Sequence, residues 1–218
     1  EGKEFSPGRI EEVLRANSVK AVRLPFGLYN VPPSVWLWED ILEVLEKHRI
    51  LCILELPTQG VAVPDKDNYY MDALLKMGTA FPNLPLVSAG RLRGYYRVME
   101  KCPNMLFSLE WDPHPGIVED VVSRFGADRL LFGTPYSENA KAISAMNTAM
   151  IELADIPEGD KAHIAGKNLA KFMDLDPEEK KENPQESDSP DTYEGNSYKV
   201  LDIHVHVQPF SWEYKPCT

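Results

Sequence analysis

Ile50-Leu51-Cys52-Ile53-Leu54 is a near-continuous apolar run, the kind that makes a strand buried on both faces of a parallel sheet. On its N-terminal side, Val35, Trp38, Ile41, Leu42 and Leu45 fall at helical spacing behind Ser34, a favoured N-cap residue. Before that helix, Val19 to Leu24 reads as another strand, led by a short amphipathic helix with Ile10, Val13 and Leu14. The alternation continues downstream. Met71, Leu74, Leu75 and Gly78 share one helix face, and Leu84 to Ser88 reads as the next strand. Tyr95 to Lys101 is a short helix, followed by a strand at Met105 to Leu109. Ile117, Val118, Val121, Val122 and Phe125 form a helical stripe closed by Gly126 as C-cap, and Asp128 to Gly133 is the last strand of the block. Two helices follow, one carrying Ile143, Met146, Met150 and Leu153, the other Ile164, Leu169 and Phe172.

Strands separated by helices imply right-handed βαβ units and an α/β fold with a parallel sheet. Both a doubly wound sheet and part of a closed barrel fit five strands. Periodicity does not choose between them.

A chain of 218 residues, 43% hydrophobic and 10% aromatic, can bury a substantial core. No apolar run approaches the roughly 20 residues of a membrane-spanning helix. Because the chain opens on Glu1, the lack of a visible signal peptide decides nothing. Cys52, Cys102 and Cys217 are odd in number and lack C-x-x-C spacing, which points to idle thiols in a reducing, cytoplasmic setting.

The net charge of −11 is uneven: Asp174 to Ser197 holds nine acids against two lysines. With Pro177, Pro184 and Pro190 and almost no aliphatics, that stretch buries too little to offset its ordering entropy and reads as a disordered linker. There is no basic stripe, so nucleic acid is not an expected partner. Past the linker, Val200-Leu201-Asp202-Ile203-His204-Val205-His206-Val207 alternates apolar and polar residues, a strand with one polar face. Period-2 spacing puts both imidazoles on one side, two residues apart, where they can grip one metal ion.

That Asp-x-His-x-His strand resembles the first barrel strand of the amidohydrolase superfamily, metal-dependent hydrolases built on a TIM-type barrel. Ser18 to Leu175 resembles the second half of such a barrel, in the amidohydrolase-related group that includes aminocarboxymuconate-semialdehyde decarboxylase. Val19 to Leu24 resembles the family's fourth strand, and Phe81 to Val87 the approach to the sixth. Arg124-Phe125-Gly126-Ala127-Asp128-Arg129-Leu130-Leu131-Phe132-Gly133-Thr134 resembles the approach to strand eight, and Ile164 with Asn168 to Phe172 the closing helix. The resemblance implies a partial TIM-like (β/α) barrel over residues 1–175, strands four to eight. An acidic linker at 176–197 and the first strand of a second barrel at 198–218 complete the expected organisation.

It also implies chemistry. In the family a divalent ion, here expected to be zinc, lowers the pKa of a bound water and polarises the substrate. His204 and His206 are the metal residues so implied, with Asp202 in support and the other ligands expected beyond Thr218. Within the first block the family's metal positions are altered: Glu55 stands at the strand-five His, Gly90 at the strand-six His, and Pro135 at the strand-eight Asp. The block therefore reads as catalytically degenerate. The expected activity of the parent is hydrolysis, decarboxylation or hydration of a small carboxylated or amide-like compound. The alternative is a non-catalytic barrel with a structural, dimerisation or regulatory role, which makes a homo-oligomer part of the expectation.

Other polar residues carry two readings. Glu55 completes a two-His-one-carboxylate set if the C-terminal strand returns beside Leu130 to Phe132, or simply pairs with an Arg at a strand end. Glu110, Asp112 and His114 follow a strand on the face where barrel sites are built, or form the polar tips of a Pro-flanked turn. Arg91, Arg93 and Arg97 hold a carboxylate or are solvated helix-start charges. His48 and His163 lie near helix ends and need no functional account.

Overall fold

Five strands make one parallel sheet: β1 (Ala21–Pro25), β2 (Leu51–Glu55), β3 (Leu86–Ala89), β4 (Met105–Ser108) and β5 (Leu130–Leu131). The computed structural model describes residues 7–26, 32–56, 66–89, 94–109, 114–133 and 140–175. Strand order is β1-β2-β3-β4-β5, each strand hydrogen-bonded to its chain neighbour. A doubly wound sheet needs a point where the order reverses, and this sheet has none. The architecture is the partial barrel, and the doubly wound alternative falls.

Helices α1 (Pro7–Ala16), α2 (Val35–Lys47), α3 (Lys66–Ala80), α4 (Tyr95–Lys101), α5 (Ile117–Phe125), α6 (Ala140–Leu153), α7 (Glu158–Ala162) and α8 (Asn168–Met173) connect or follow the strands. The sheet has two apolar faces, as the run at Ile50 to Leu54 requires. Leu24, Cys52, Leu54, Leu86, Met105, Phe107, Leu130 and Phe132 pack with the helices in the larger cluster. Ala21, Leu51, Ile53, Val87, Leu106 and Leu131 form the smaller cluster on the other face, covered by Leu169, Phe172 and Met173 of α8. That second face is the inner one of the partial barrel. Cys52 and Cys102 are buried free thiols, and burial pushes the Cys52 pKa well up, which leaves that thiol inert.

Local signals explain the helix ends. Gly126 has φ 87° and ends α5, a backbone region that favours glycine. Gly78 serves packing instead: a Cβ there would lie 2.8 Å from both Cβ and Sγ of Cys102, so only glycine lets α3 approach so closely. Ser34 takes the N-cap position of α2 with extended backbone, but its side chain makes no capping bond. Strands β3 and β5 begin later than the apolar runs imply; ahead of β5, Ala127–Arg129 turns as a 3-10 helix. Among the described residues no helix is long and apolar enough to cross a membrane.

Helix α6 departs from its expected orientation. The stripe Ile143, Met146, Met150 and Leu153 predicts the buried face, yet Leu153 is 84% exposed while Asn147, Ile151 and Ala154 are buried. A polar anchor accounts for the rotation: the Asn147 amide reaches two backbone carbonyls, described below.

Side chains also bind the amino-terminal side of the sheet. The Arg129 guanidinium donates to the carbonyls of Met99, Cys102 and Met105. Asn168 Nδ2 donates to Ala127 and Leu130, and Asn104 Nδ2 to Phe81 and Leu84. The stretches Arg124 to Thr134 and Asn168 to Phe172, which carry part of the resemblance, thus hold residues whose visible work is structural.

Candidate functional site at the carboxyl ends of the strands

In parallel α/β sheets ligands meet the carboxyl ends of the strands. On the inner face here, the last apolar layer is Ile53, Val87, Leu106 and Leu131. Beside and above it stand Arg23 and Glu55. In the register Arg23 lies opposite Ile53 and Glu55 opposite Pro25, so the two side chains are diagonal neighbours on one face. Arg23 Nη2 is 3.0 Å from Glu55 Oε1, and the side chains are 33% and 37% exposed. The ordinary reading of Glu55, a strand-end carboxylate paired with an Arg, is the one the structure shows.

Asn147 ties together the far part of the strand ends, at β4 and β5. Its Nδ2 donates to the carbonyl of Leu109 at 3.0 Å and to that of Gly133 at 2.8 Å, joining the ends of β4 and β5 beyond their last ladder pair. The residue is fully buried, and its Oδ1 has no hydrogen-bond partner among the described residues. On β3, the Ser88 N–H donates to the Tyr95 hydroxyl at 3.3 Å, and that hydroxyl donates to the Leu106 carbonyl. Burial drives the Tyr95 pKa well above its ordinary value, so it is a neutral donor here. Neither Asn147 nor Tyr95 stands out in the sequence. The one signal is an amide in the middle of a helix rich in apolar residues, where a buried polar group must find partners.

The expected metal residues His204 and His206, with Asp202, lie outside the described residues, as do the linker, Gly90, Pro135, Glu110, Asp112, Arg91 and Arg93. His114 is described: it is exposed ahead of α5, with Nδ1 3.0 Å from the Pro115 carbonyl. Arg97 is exposed in the first turn of α4, its N–H bonded to the Gly94 carbonyl. His48 caps the C-terminus of α2 with Nε2 3.5 Å from Glu11, and exposed His163 lies 3.3 Å from Asn168 Oδ1. These two histidines stand apart from the strand ends, as their sequence positions imply.

Zinc or another divalent ion is implied by the resemblance, and the described residues do not fit one. Among them no three His, Cys, Asp or Glu side chains converge, and Glu55 is engaged by Arg23. The return of the C-terminal strand beside β5 also meets an obstacle. The Leu130 carbonyl accepts from Asn168, and the Phe132 N–H donates to the Ile164 carbonyl at 3.1 Å. A carbonyl and the N–H two residues later lie on the same side of a strand and are what an added parallel strand would bond. The π-helical segment His163–Lys167 and α8 hold both, so the route that would bring Glu55 into a two-His-one-carboxylate set has no open edge there.

No protein-family model and no curated protein matches the chain. Solved structures do. An uncharacterised TIM-barrel protein from Bordetella bronchiseptica superposes with TM-score 0.57 at 18% identity, over 78% of this chain and 72% of the other. A putative amidohydrolase from Staphylococcus aureus gives 0.57 at 11% identity, over 78% and 69%. A dihydroxybenzoic acid decarboxylase from Polaromonas, solved with bound manganese and the inhibitor 2-nitroresorcinol, gives 0.54 at 12%, over 78% and 66%. The chain spans about two thirds of the length of the solved structures it matches, 63% in one case. At such identities the likeness establishes the fold, an α/β parallel sheet corresponding to part of a TIM barrel.

Proposed function

We propose that this chain is part of a metal-dependent enzyme of the amidohydrolase-related kind, which decarboxylates or hydrolyses a small carboxylated compound. The observation that carries the reading is the chain-ordered parallel sheet, whose strand ends form one rim, as in the solved decarboxylases and amidohydrolases of the same fold. His204 and His206 would hold the metal, with further donors outside the described block. Zinc is the ion proposed, and manganese, present in one solved decarboxylase, is its competitor. Bound there, the ion would supply Lewis-acid polarisation of the substrate. Hydroxylated benzoates are the substrate class to try first, by analogy with that decarboxylase. Cytoplasmic location and self-association remain part of the proposal.

A second reading applies to the described block alone, and Arg23–Glu55 favours it. A carboxylate held by a guanidinium at a strand end, without two further donors among the described residues, supports a scaffold that has given up its own metal position. Elemental analysis after dialysis tests both readings together. Stoichiometric zinc or manganese should be lost in the His204→Ala/His206→Ala variant and unchanged in Glu55→Gln. Metal retained by the histidine variant and lost from Glu55→Gln would overturn both. Release of carbon dioxide from hydroxylated benzoates then separates decarboxylation from hydrolysis.

A further inference from the structure

The two edges of the sheet differ. On β5 the outward carbonyl and N–H are held by Asn168 and Ile164. On β1 the Leu51 N–H bonds the Lys20 carbonyl and the Phe26 N–H bonds the Glu55 carbonyl, so the even-numbered residues turn their main chain towards β2. Ala21 and Arg23 turn theirs the other way, and among the described residues those groups meet no backbone partner. Pro25 has no N–H to offer, which limits this edge to the stretch from Ala21 to Arg23. An open edge of this kind is a template for another strand.

We propose that the β1 edge takes residues 199–207 of this same chain as a sixth parallel strand. Asp174, just past α8, lies 3.3 Å from the Lys20 ammonium, so the chain leaves the described block beside the start of β1. A strand parallel to β1 must begin at that end, and residues 176–198 supply ample length to turn into it. The residue pattern fits the edge. An added residue that donates to the Ala21 carbonyl and accepts from the Arg23 N–H stands opposite Val22, which faces the helix layer. With Ile203 or Val205 in that place, Leu201, Ile203, Val205 and Val207 join the helix-facing side. Asp202, His204 and His206 then join the inner face beside Arg23 and Glu55. A one-residue slip would put the imidazoles into the apolar layer, so the alternation fixes the register to alternate residues. The inference rests on the edge and the pattern, not on metal binding.

Amide exchange on the full chain tests it, using Val205→Pro, since the Val205 N–H bonds Ala21 or Arg23 in either register. The Arg23 amide should exchange at least about tenfold faster in Val205→Pro than in the unaltered chain, while Val22 and Leu24, bonded to β2, stay unchanged. An Arg23 amide that exchanges equally in both overturns the proposal. So does protection that rises with protein concentration and ignores the proline, which would assign the edge to a second copy.

Discussion

Asn147→Ala tests the physical reading of the rim. The amide is fully buried and donates to the Leu109 and Gly133 carbonyls at 3.0 and 2.8 Å. Removing it leaves two buried acceptors without donors, each costing about 1–3 kcal/mol. Deletion also relieves the unpartnered Oδ1, which offsets about 1 kcal/mol. The net loss should be about 1–5 kcal/mol, a large share of the stability of an ordinary domain. With a urea dependence of about 2 kcal/mol per molar, the midpoint followed by circular dichroism should fall by about 0.5–2.5 M. Leu153→Ala on the same helix is the control: the side chain is 84% exposed, so the loss should stay within about 0.5 kcal/mol. If Asn147→Ala unfolds within about 0.5 kcal/mol of the unaltered protein, the amide does not hold the rim and the explanation for the turned helix fails.

Three further outcomes are expected. Gly78→Ala should lower the melting temperature despite better helix propensity, because a methyl 2.8 Å from Cys102 overpacks the α3–α4 contact by about 1–3 kcal/mol. Tyr95→Phe removes the bond that the hydroxyl donates to the Leu106 carbonyl, and urea unfolding should show a loss of about 0.5–1.5 kcal/mol. The hydrogen bond from Lys47 holds the Glu11 carboxyl below its ordinary value of 4.5, with His48 and Arg15 adding to the effect. A pKa lowered on folding contributes stability above the ordinary carboxylate range and loses it as pH falls through the folded value. Acid titration of stability should therefore show a smaller drop below about pH 4.5 in Lys47→Met than in the unaltered chain.

The sheet was legible because its strands are buried on both faces, which leaves short apolar runs such as Ile50 to Leu54 that read only one way among helical stripes. Strand order was not legible, since periodicity records which residues are buried and not which strands are neighbours. The rotation of α6 escapes the sequence pattern for a related reason. Four large apolar residues outweigh one amide in any pattern count, but a buried amide must be satisfied and an exposed Leu153 costs little. Arg129 and Asn168 fell within stretches that the resemblance singled out, yet nothing local shows that they bind carbonyls 24 to 41 residues away. The Arg23–Glu55 contact needed the register of β1 on β2, because a diagonal pair across strands leaves no trace in either strand alone.

Neighbour-by-neighbour strand order bears on how the molecule comes into being. Among the described residues each ladder joins strands separated by one α-helix, so none of the five strands waits for a distant part of the chain before it can pair. Such short-range topology favours rapid assembly and suits growth from the amino terminus during synthesis, one βα unit laid against the last. Ribosome-bound chains stalled after successive strands should gain protease resistance in steps, not all at once.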